Sequence, residues 1–506
     1  MAARLWIDVE DLFEYARTMS RPSGIQRLAF EVYATLQERH GATGLVRFVR
    51  HDPPRNSLRV VGWPEVAALF ERLTAPAPAP TQMQARMAAL IQPGPIRPHP
   101  PRRQLARRLV YRLPPALRVH VTDVLLTQAR AFVAWAGLID ALFRGVVRTP
   151  HRIRRRRAAA TAAAAAATVT ALPQPPDAVV AVPQPFDAAY ADVVAPGDVL
   201  LVLGSPWSHP AYATFVQVQR ERHGIRFALL VYDLIPLRRP EWCDRGLVRL
   251  FREWFTTVFP LCDAVFAISR ATAADVEAYA RERGITLPGA VVPIPIGTGF
   301  GPALARDPAP RSERLPPVGG YALIVSTIEA RKNHLLLFRV WRRLLEELPR
   351  EQVPTLVFAG RIGWLVDDLM RQIANTDSLD GKLVIIENPS DPDLAALYQG
   401  CLFTLFPSFF EGWGLPVTES LAFGKPCLIS DRTSLPEAGG GLARSFDPDN
   451  LNDAYAAIRA VVEDRAGLAA WEAQVRRDFR PVPWSATVDA LLAGLRHPLA
   501  EAVERV

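Results

Sequence analysis

Glu411 and Glu419 stand on either side of a stretch that holds Gly412, Trp413, Gly414, Leu415 and Pro416, with seven residues between the two acids. Two carboxylates this close in sequence can work as a general acid and base, or can hold different parts of one elongated ligand. The surroundings point to a ligand. An apolar run of strand length, 402–406, leads into the stretch. The two glycines let the backbone pass close to a bound group. Pro416 suits the first position of a helix and Gly424 suits a stop, so the pattern predicts a helix over 416–423. The peptide groups of 412–415 then sit at a helix N-terminus, where an anion is favoured. Glu411 falls before that helix and Glu419 about one turn into it.

A second group with chemical potential is the pair Arg331–Lys332, which follows the apolar run 321–325 and precedes a helix expected to open at about Asn333. Cations at a helix start oppose the helix dipole, so their presence calls for an anion. Two Asp-x-Asp strings, Asp391-Pro392-Asp393 and Asp447-Pro448-Asp449, have the look of metal ligands. Each precedes a helical segment, and an Asp N-cap with Pro at the first position is an ordinary helix start. Capping is therefore expected of both, and no metal. The four cysteines, Cys243, Cys262, Cys401 and Cys427, form no CxxC pair and no Cys/His cluster. They read as buried free thiols of a reducing compartment.

The elements that must position these groups alternate. Short apolar runs at 5–9, 199–203, 227–231 and 264–268 have buried-strand length, with helix-like segments between them. A helix is expected from Gly24 to about Gln37. A second series has strands at 321–325, 355–359, 383–386, 402–406 and 427–430. Alternation of this kind predicts parallel sheets covered by helices on both faces, with ligands beyond the C-terminal strand ends. At 506 residues and 49% hydrophobic, the chain suits two such domains plus extra material. The expected division is a first Rossmann-like domain over 1–300, a linker over 301–317 with five prolines, a second Rossmann-like domain over 318–485, and a last helix in 486–506 packing back on the first domain. A basic, Pro/Ala-rich insertion fills about 73–170. No signal peptide is expected before the first strand.

Four strings together resemble the family-four retaining glycosyltransferases, also called group 1, and within them mannosyltransferases. They are Glu411 to Glu419; Thr327-Ile328-Glu329-Ala330-Arg331-Lys332-Asn333; Leu394-Ala395-Ala396-Leu397-Tyr398; and Lys425 to Asp431 followed by Leu435-Pro436-Glu437. The resemblance implies the α/β GT-B fold, two doubly wound domains facing a cleft, here with an Arg-rich helical insertion in the first. It implies that Lys332 binds the donor diphosphate, Glu411 the transferred sugar and Glu419 the ribose. Arg331 and the stretch Gly412, Trp413, Gly414 and Leu415 complete the donor site. The family often has His-Asp after the strand at 227–231, where this chain has Tyr232 and Asp233. Asp233 is then the polar residue nearest the reacting sugar. Tyr232 and Gly24, the latter in a loop like the family's first glycine-containing one, belong to the acceptor side. Glu411 reads as a donor-binding group and not as a nucleophile. The implied reaction moves a hexose from a nucleotide-diphosphate sugar, GDP-mannose first and UDP-hexose second, with no cofactor and no metal. The implied acceptor is a glycan or lipid-linked glycan of surface-polysaccharide assembly.

Charge is uneven along the chain. Residues 97–157 hold fifteen arginines, no lysine and two acids, a net +13; the whole chain carries +8, so the remainder carries −5. The longest uncharged run in this stretch, 131–139, is too short to span a bilayer. Set on a helix, Asp123, Arg130, Asp140, Arg144 and Arg148 share one arc, while Phe132, Trp135, Leu138 and Leu142 fall on the wide apolar face. This predicts a helix lying in an anionic membrane surface, on the cytoplasmic face, where a lipid-linked acceptor would be met. Packing of the same helix on protein is the alternative. Other readings of the chain are an epimerase of the same fold, or a non-catalytic Arg-rich protein bound to nucleic acid or membrane. Nucleic acid is not expected as a partner.

Overall fold

A computed structural model describes residues 3–19, 21–52, 56–74, 190–209, 211–299 and 312–496. The chain groups into two units, residues 1–76 with 185–506, and residues 77–184. Everything below belongs to the first unit. The basic insertion, its expected membrane helix and most of the linker lie outside the described residues.

The first sheet contains β1 (Leu5–Asp8), β2 (Val46–Asp52), β3 (Ser57–Val61), β4 (Val199–Val202), β5 (Arg226–Val231), β6 (Ala264–Ala267) and β7 (Val292–Pro293), in the order β3-β2-β1-β4-β5-β6-β7. Only the β2/β3 pair is antiparallel. The second sheet contains β8 (Tyr321–Val325), β9 (Thr355–Ala359), β10 (Leu383–Ile386), β11 (Phe403–Phe406), β12 (Cys427–Ser430) and β13 (Arg444–Phe446), all parallel, in the order β10-β9-β8-β11-β12-β13. Two doubly wound Rossmann-like sheets in one chain are the GT-B architecture.

The unbroken apolar character of the strands has a direct cause: both faces of each sheet are covered. Leu5 and Ile7 enter one hydrophobic cluster and Trp6 the opposite one. In β8, Ala322 and Ile324 pack on one side, Tyr321 and Leu323 on the other. β2, β3, β7 and β13 are not legible as strands in sequence. β2 reads Val-Arg-Phe-Val-Arg-His-Asp, too polar for a buried run, and β7 and β13 have only two and three residues.

Strand order reverses between β1 and β4 in the first sheet and between β8 and β11 in the second. A crevice for ligand opens at such a point, beyond the C-terminal strand ends. The loop after β8 carries Arg331 and Lys332, and the loop after β11 carries Glu411. The last described helix, Trp484–Arg496, returns to the first domain. Its Val488, Leu491 and Leu495 complete that domain's core. Gly494 lets it close on Phe266, whose ring a Cβ there would meet at 2.4 Å.

Candidate functional site

The loop from Pro407 to Gly414 joins β11 to the helix Leu415–Ala422. That helix opens one residue earlier than the expected 416, because Gly414 adopts a left-handed φ of 112° and serves as its N-cap. A Cβ on Gly414 would also strike Leu435 at 2.7 Å. The loop is pinned from β12's side. The Glu411 N–H donates to Thr433 Oγ1 at 3.0 Å, and Ser434 Oγ donates to the carbonyls of Glu411 (3.0 Å) and Trp413 (2.8 Å).

The cation loop meets it from β8. Asn333, at φ 57°, takes the left-handed turn that asparagine tolerates, and its Nδ2 donates to the carbonyl of Pro448 at 3.0 Å. This turn ends the loop and starts the helix His334–Glu347. Lys332 Nζ lies 2.5 Å from Glu411 Oε1, and Arg331 Nη1 lies 2.9 Å from Glu411 Oε2. Arg331 also pairs with the buried Glu329 at 2.7 Å and donates to the carbonyl of Phe410. The two cations expected to meet a diphosphate are therefore already paired, with Glu411 and Glu329.

Burial alone would raise Glu411, but Arg331 and Lys332 outweigh it and hold its carboxyl at about 2. Burial works against the charge of Arg331 as well, and Glu411 and Glu329 keep it fully protonated. Lys332 is drawn below its usual range by burial and by Arg331, with Glu411 opposing. Buried charges in so tight a set persist because each is paired.

Glu419 lies in the helix after Gly414 and accepts from the Tyr398 hydroxyl at 2.8 Å. Burial raises its carboxyl above the usual range, while Tyr398 and the positive charge of Arg27 pull the other way. Arg27, on the first domain's helix Gly24–His40, pairs with Asp391 at 2.8 Å. Arg21 donates to the carbonyls of Asn388 and Pro389. These contacts bring the first domain against the loop beyond β10. Tyr398 had been legible only as part of a string, without a role.

The first domain meets the glutamate loop at its own strand ends. A Cβ on Gly412 would lie 2.1 Å from the carbonyl oxygen of Tyr232 and 3.2 Å from Asp233 Cβ. Glycine at 412 is thus what lets the two domains touch. Thr272 Oγ1 donates to Gly412 O at 3.2 Å across the same junction. Asp233 sits within the field of Arg331, Glu411 and Lys332; burial raises its carboxyl, and the Ile235 N–H, donating at 3.0 Å, opposes that. Tyr232 is different from the acceptor-side residue expected. Its side chain is 6% exposed, packs in the core and donates to the Leu203 carbonyl at 2.6 Å. Only its backbone faces the junction, because alternation along β5 sends residue 232 to the core side. Gly24 begins its helix and faces Leu415, whose Cδ1 a Cβ there would meet at 3.3 Å. Leu415 and Trp413 pack against the first domain's core, and Trp413 touches both cores. Both serve as apolar joints of the junction.

At the first sheet's own switch point a buried polar cluster assembles that sequence did not reveal. Asp8 lies 2.8 Å from His51 Nε2 and accepts from Tyr212 at 2.9 Å. Glu10 pairs with Arg50 at 2.9 Å. Asp11 accepts from the Ser205 N–H at 3.0 Å. Burial lifts Asp11 to about 6, with Ser205 opposing and Asp8 adding to the rise. The partners come from distant segments, so no local string marks them.

The Asp-Pro-Asp strings resolve into two cases, and in neither is the first Asp the cap. Ser390 caps the helix Asp391–Gly400 and forms a capping box with Asp393. Asn450 caps the helix Leu451–Glu463, while Asp447 and Asp449 pair with Arg432 at 2.6 and 3.3 Å. Among the described residues no group of three or more His, Cys, Asp or Glu is placed to hold a metal ion. All four cysteines are free; three are buried and Cys243 is half-buried, beside the short helical turn Pro240–Trp242 on the cleft rim. No described helix is long and apolar enough to cross a membrane.

Residues 306–478 match the family model of the glycosyl transferases group 1. Over 294 residues the chain is 29% identical to the serotype-specific mannosyltransferase WbdA of Escherichia coli, covering 55% of this chain and 35% of that protein. Over 145 residues it is 34% identical to the O-antigen chain mannosyltransferase B of Escherichia coli, covering 29% of this chain and 37% of that protein. The alignments thus span about a third of the length of these curated relatives. Among solved structures, TarM aligns with a TM-score of 0.44 at 12% identity, over 59% of this chain and 54% of that one. By sequence, residues 306–478 of this chain belong to the glycosyl transferases group 1.

Proposed function

We propose that the protein is a retaining glycosyltransferase that moves a hexose from a nucleotide-diphosphate sugar to a glycan or lipid-linked glycan acceptor in surface-polysaccharide assembly. The observation that carries this is Glu411, held between Lys332 and Arg331 at the second sheet's switch point and opposite Asp233 of the first domain. As the bond from the sugar's C1 to the diphosphate oxygen breaks, charge grows on the diphosphate. Arg331, Lys332 and the N–H groups after Glu411 stabilise that charge more in the transition state than before it. The acceptor oxygen bonds to C1 on the same face, and its proton passes to the departing diphosphate. Glu411 is not assigned as the base for that proton: it pairs with the cations before the donor arrives and orients the sugar once they pass to the diphosphate. Glu419, steadied by Tyr398, takes the ribose hydroxyls.

Mannose is the favoured sugar and GDP-mannose the favoured donor, with UDP-hexose second; the Escherichia coli relatives named mannosyltransferases support this choice. With two cations at the diphosphate, no divalent ion is needed. A lipid-linked acceptor would bring the enzyme to the inner face of the membrane, with residues 97–157 on anionic headgroups. The test is to incubate the full chain with a panel of nucleotide sugars and acceptor glycans in chelator, following released nucleoside diphosphate and the anomeric configuration of the product. Release from GDP-mannose with retention is expected. No release from any donor, or an inverted product, would overturn the reading.

A further inference from the structure

Beside the charged cluster, the rim of the junction is lined with apolar rings. Ile362, Trp364 and Leu365 are 40%, 48% and 63% exposed, three of the five large exposed hydrophobics among the described residues. Leu365 also holds a left-handed φ of 59°, a conformation that an L side chain with a Cβ disfavours. This loop is nonetheless fixed. Ile328 N donates to Arg361 O and Gly363 N to Ile328 O, both at 2.8 Å, and Ala330 N donates to Trp364 O at 3.4 Å. A Cβ on Gly363 would lie 2.7 Å from Thr327 Cγ2. The backbone at Trp364 is therefore tied to the loop that presents Arg331 and Lys332.

Across the junction the Trp364 indole donates to the carbonyl of Trp242 at 2.8 Å. The Trp242 ring stacks on Phe409, centroids 5.4 Å apart and planes 12° apart, with the Arg239 guanidinium 4.6 Å from its centre. Phe409 stands two residues before Glu411, and its N–H donates to the Arg331 carbonyl at 3.0 Å. Cys243, next to Trp242, lies within the field of Arg331, Asp233 and Glu329. The aromatic strip thus begins at the charged cluster and runs outward to solvent.

We propose that the exposed ring of Trp364, flanked by Ile362 and Leu365 and held by Trp242 on its stack with Phe409, forms a carbohydrate subsite for acceptor rings beyond the one that receives the hexose; this rests on the glycosyltransferase reading above. A pyranose offers a C–H face that stacks on flat rings and hydroxyls at its edge that meet polar groups. An exposed indole held in place by its N–H bond to Trp242, with the Arg239 guanidinium nearby, matches that surface. An acyl chain would call for an enclosed apolar groove, and here the rings stand half open.

The test uses the full chain and methyl α-mannoside, mannobiose and mannotriose as acceptors. In the wild type the acceptor KM should fall about tenfold from one ring to three. In Trp364→Ala and Trp242→Ala that gain should vanish while the donor KM is kept. Trp364→Phe, which keeps a ring but loses the N–H to Trp242, should restore most of it. Val318→Ala, exposed and away from the strip, should behave as wild type. Persistence of the gain in both alanine variants would overturn the subsite. So would a KM that follows the length of an alkyl aglycone and not the number of rings. Should the wild type release nothing from any donor, the parent reading fails, and saturation-transfer NMR with mannotriose alone decides the subsite. Binding lost in Trp364→Ala supports it; no binding by the wild type overturns it.

Discussion

At the second sheet's switch point the charged groups come from two short strings, 329–332 and 407–419, and acids and cations balance: Glu329 and Glu411 against Arg331 and Lys332. At the first sheet's switch point Asp8, Glu10, Asp11, Arg50, His51, Ser205 and Tyr212 come from four separate segments, and three acids face Arg50 and His51, leaving Asp11 without a cation. The difference appears in protonation. Glu411 is held at about 2 by its cations, whereas Asp11 is lifted to about 6 by burial. One edge is organised around fixed cations, the groups that the leaving diphosphate of the proposed reaction would call for. The other offers acids and hydroxyls, groups suited to the hydroxyls of an acceptor. The two edges meet where Gly412 lies on the backbone of Tyr232.

The sharpest way to break this comparison is at the charged set. Glu411→Ala and Lys332→Ala should each lower turnover by about 10²–10³-fold with the fold retained, as checked by initial rates and circular dichroism. Near-wild-type rates would refute a role in the reaction. Gly412→Ala probes the junction. Its new methyl meets a backbone oxygen that cannot yield, so the domains must part, and a shift of about 1 Å is expected to cost about 10²-fold in rate. An unchanged rate would show that the two edges act independently. Glu419→Ala and Tyr398→Phe should act on donor binding, raising the donor KM about tenfold and severalfold with kcat little changed. A fall in kcat alone would remove the ribose role.

The smallest effect separates the edges by pH. Asp11 has a folded value of about 6 against an unfolded one near 3.8, so the folded state binds its proton more tightly. The stabilisation is complete below the unfolded value and is lost as pH rises through about 6. Asp11→Asn should therefore raise the melting temperature at pH 8 and leave it nearly unchanged at about pH 3, an effect on the order of 3 kcal/mol. Glu411 runs the other way: its contribution is present above about 4.5 and lost as pH falls through about 2. Equal melting temperatures for Asp11→Asn and wild type at pH 8 would mean that burial does not raise the Asp11 carboxyl.

The same contrast explains what could be read in the sequence. The second domain's strands other than β13 are mostly apolar runs, and its charged residues sit in contiguous strings fixed by Asn333, Gly414 and Pro416, so these strands and the strings that meet in the candidate site were legible. Glu329 and Tyr398 lay within quoted strings, but only packing shows one buried against Arg331 and the other on Glu419. In the first domain β2 is polar because its edge faces Asp8 and Glu10, so its apolar signal is weak. Asp11 and Ser205 are 194 residues apart, and no periodicity predicts that they meet. Tyr232 sits where the family often has histidine, and only the strand's alternation sends its ring to the core. Ser390 caps its helix because its hydroxyl reaches Asp393 N, which moves the cap one residue ahead of the Asp-Pro-Asp string.

The central claim is that Arg331 and Lys332 are diphosphate ligands that Glu411 occupies until the donor arrives. Calorimetric titration of GDP, and of UDP as the second base, into the full chain tests it most directly. Lys332→Ala should weaken binding of the nucleoside diphosphate about tenfold or more. Glu411→Ala should bind it at least as tightly as the wild type, because a competing carboxylate is gone, even though its turnover is lost. Equal weakening in both variants, or no change in Lys332→Ala, would contradict the account.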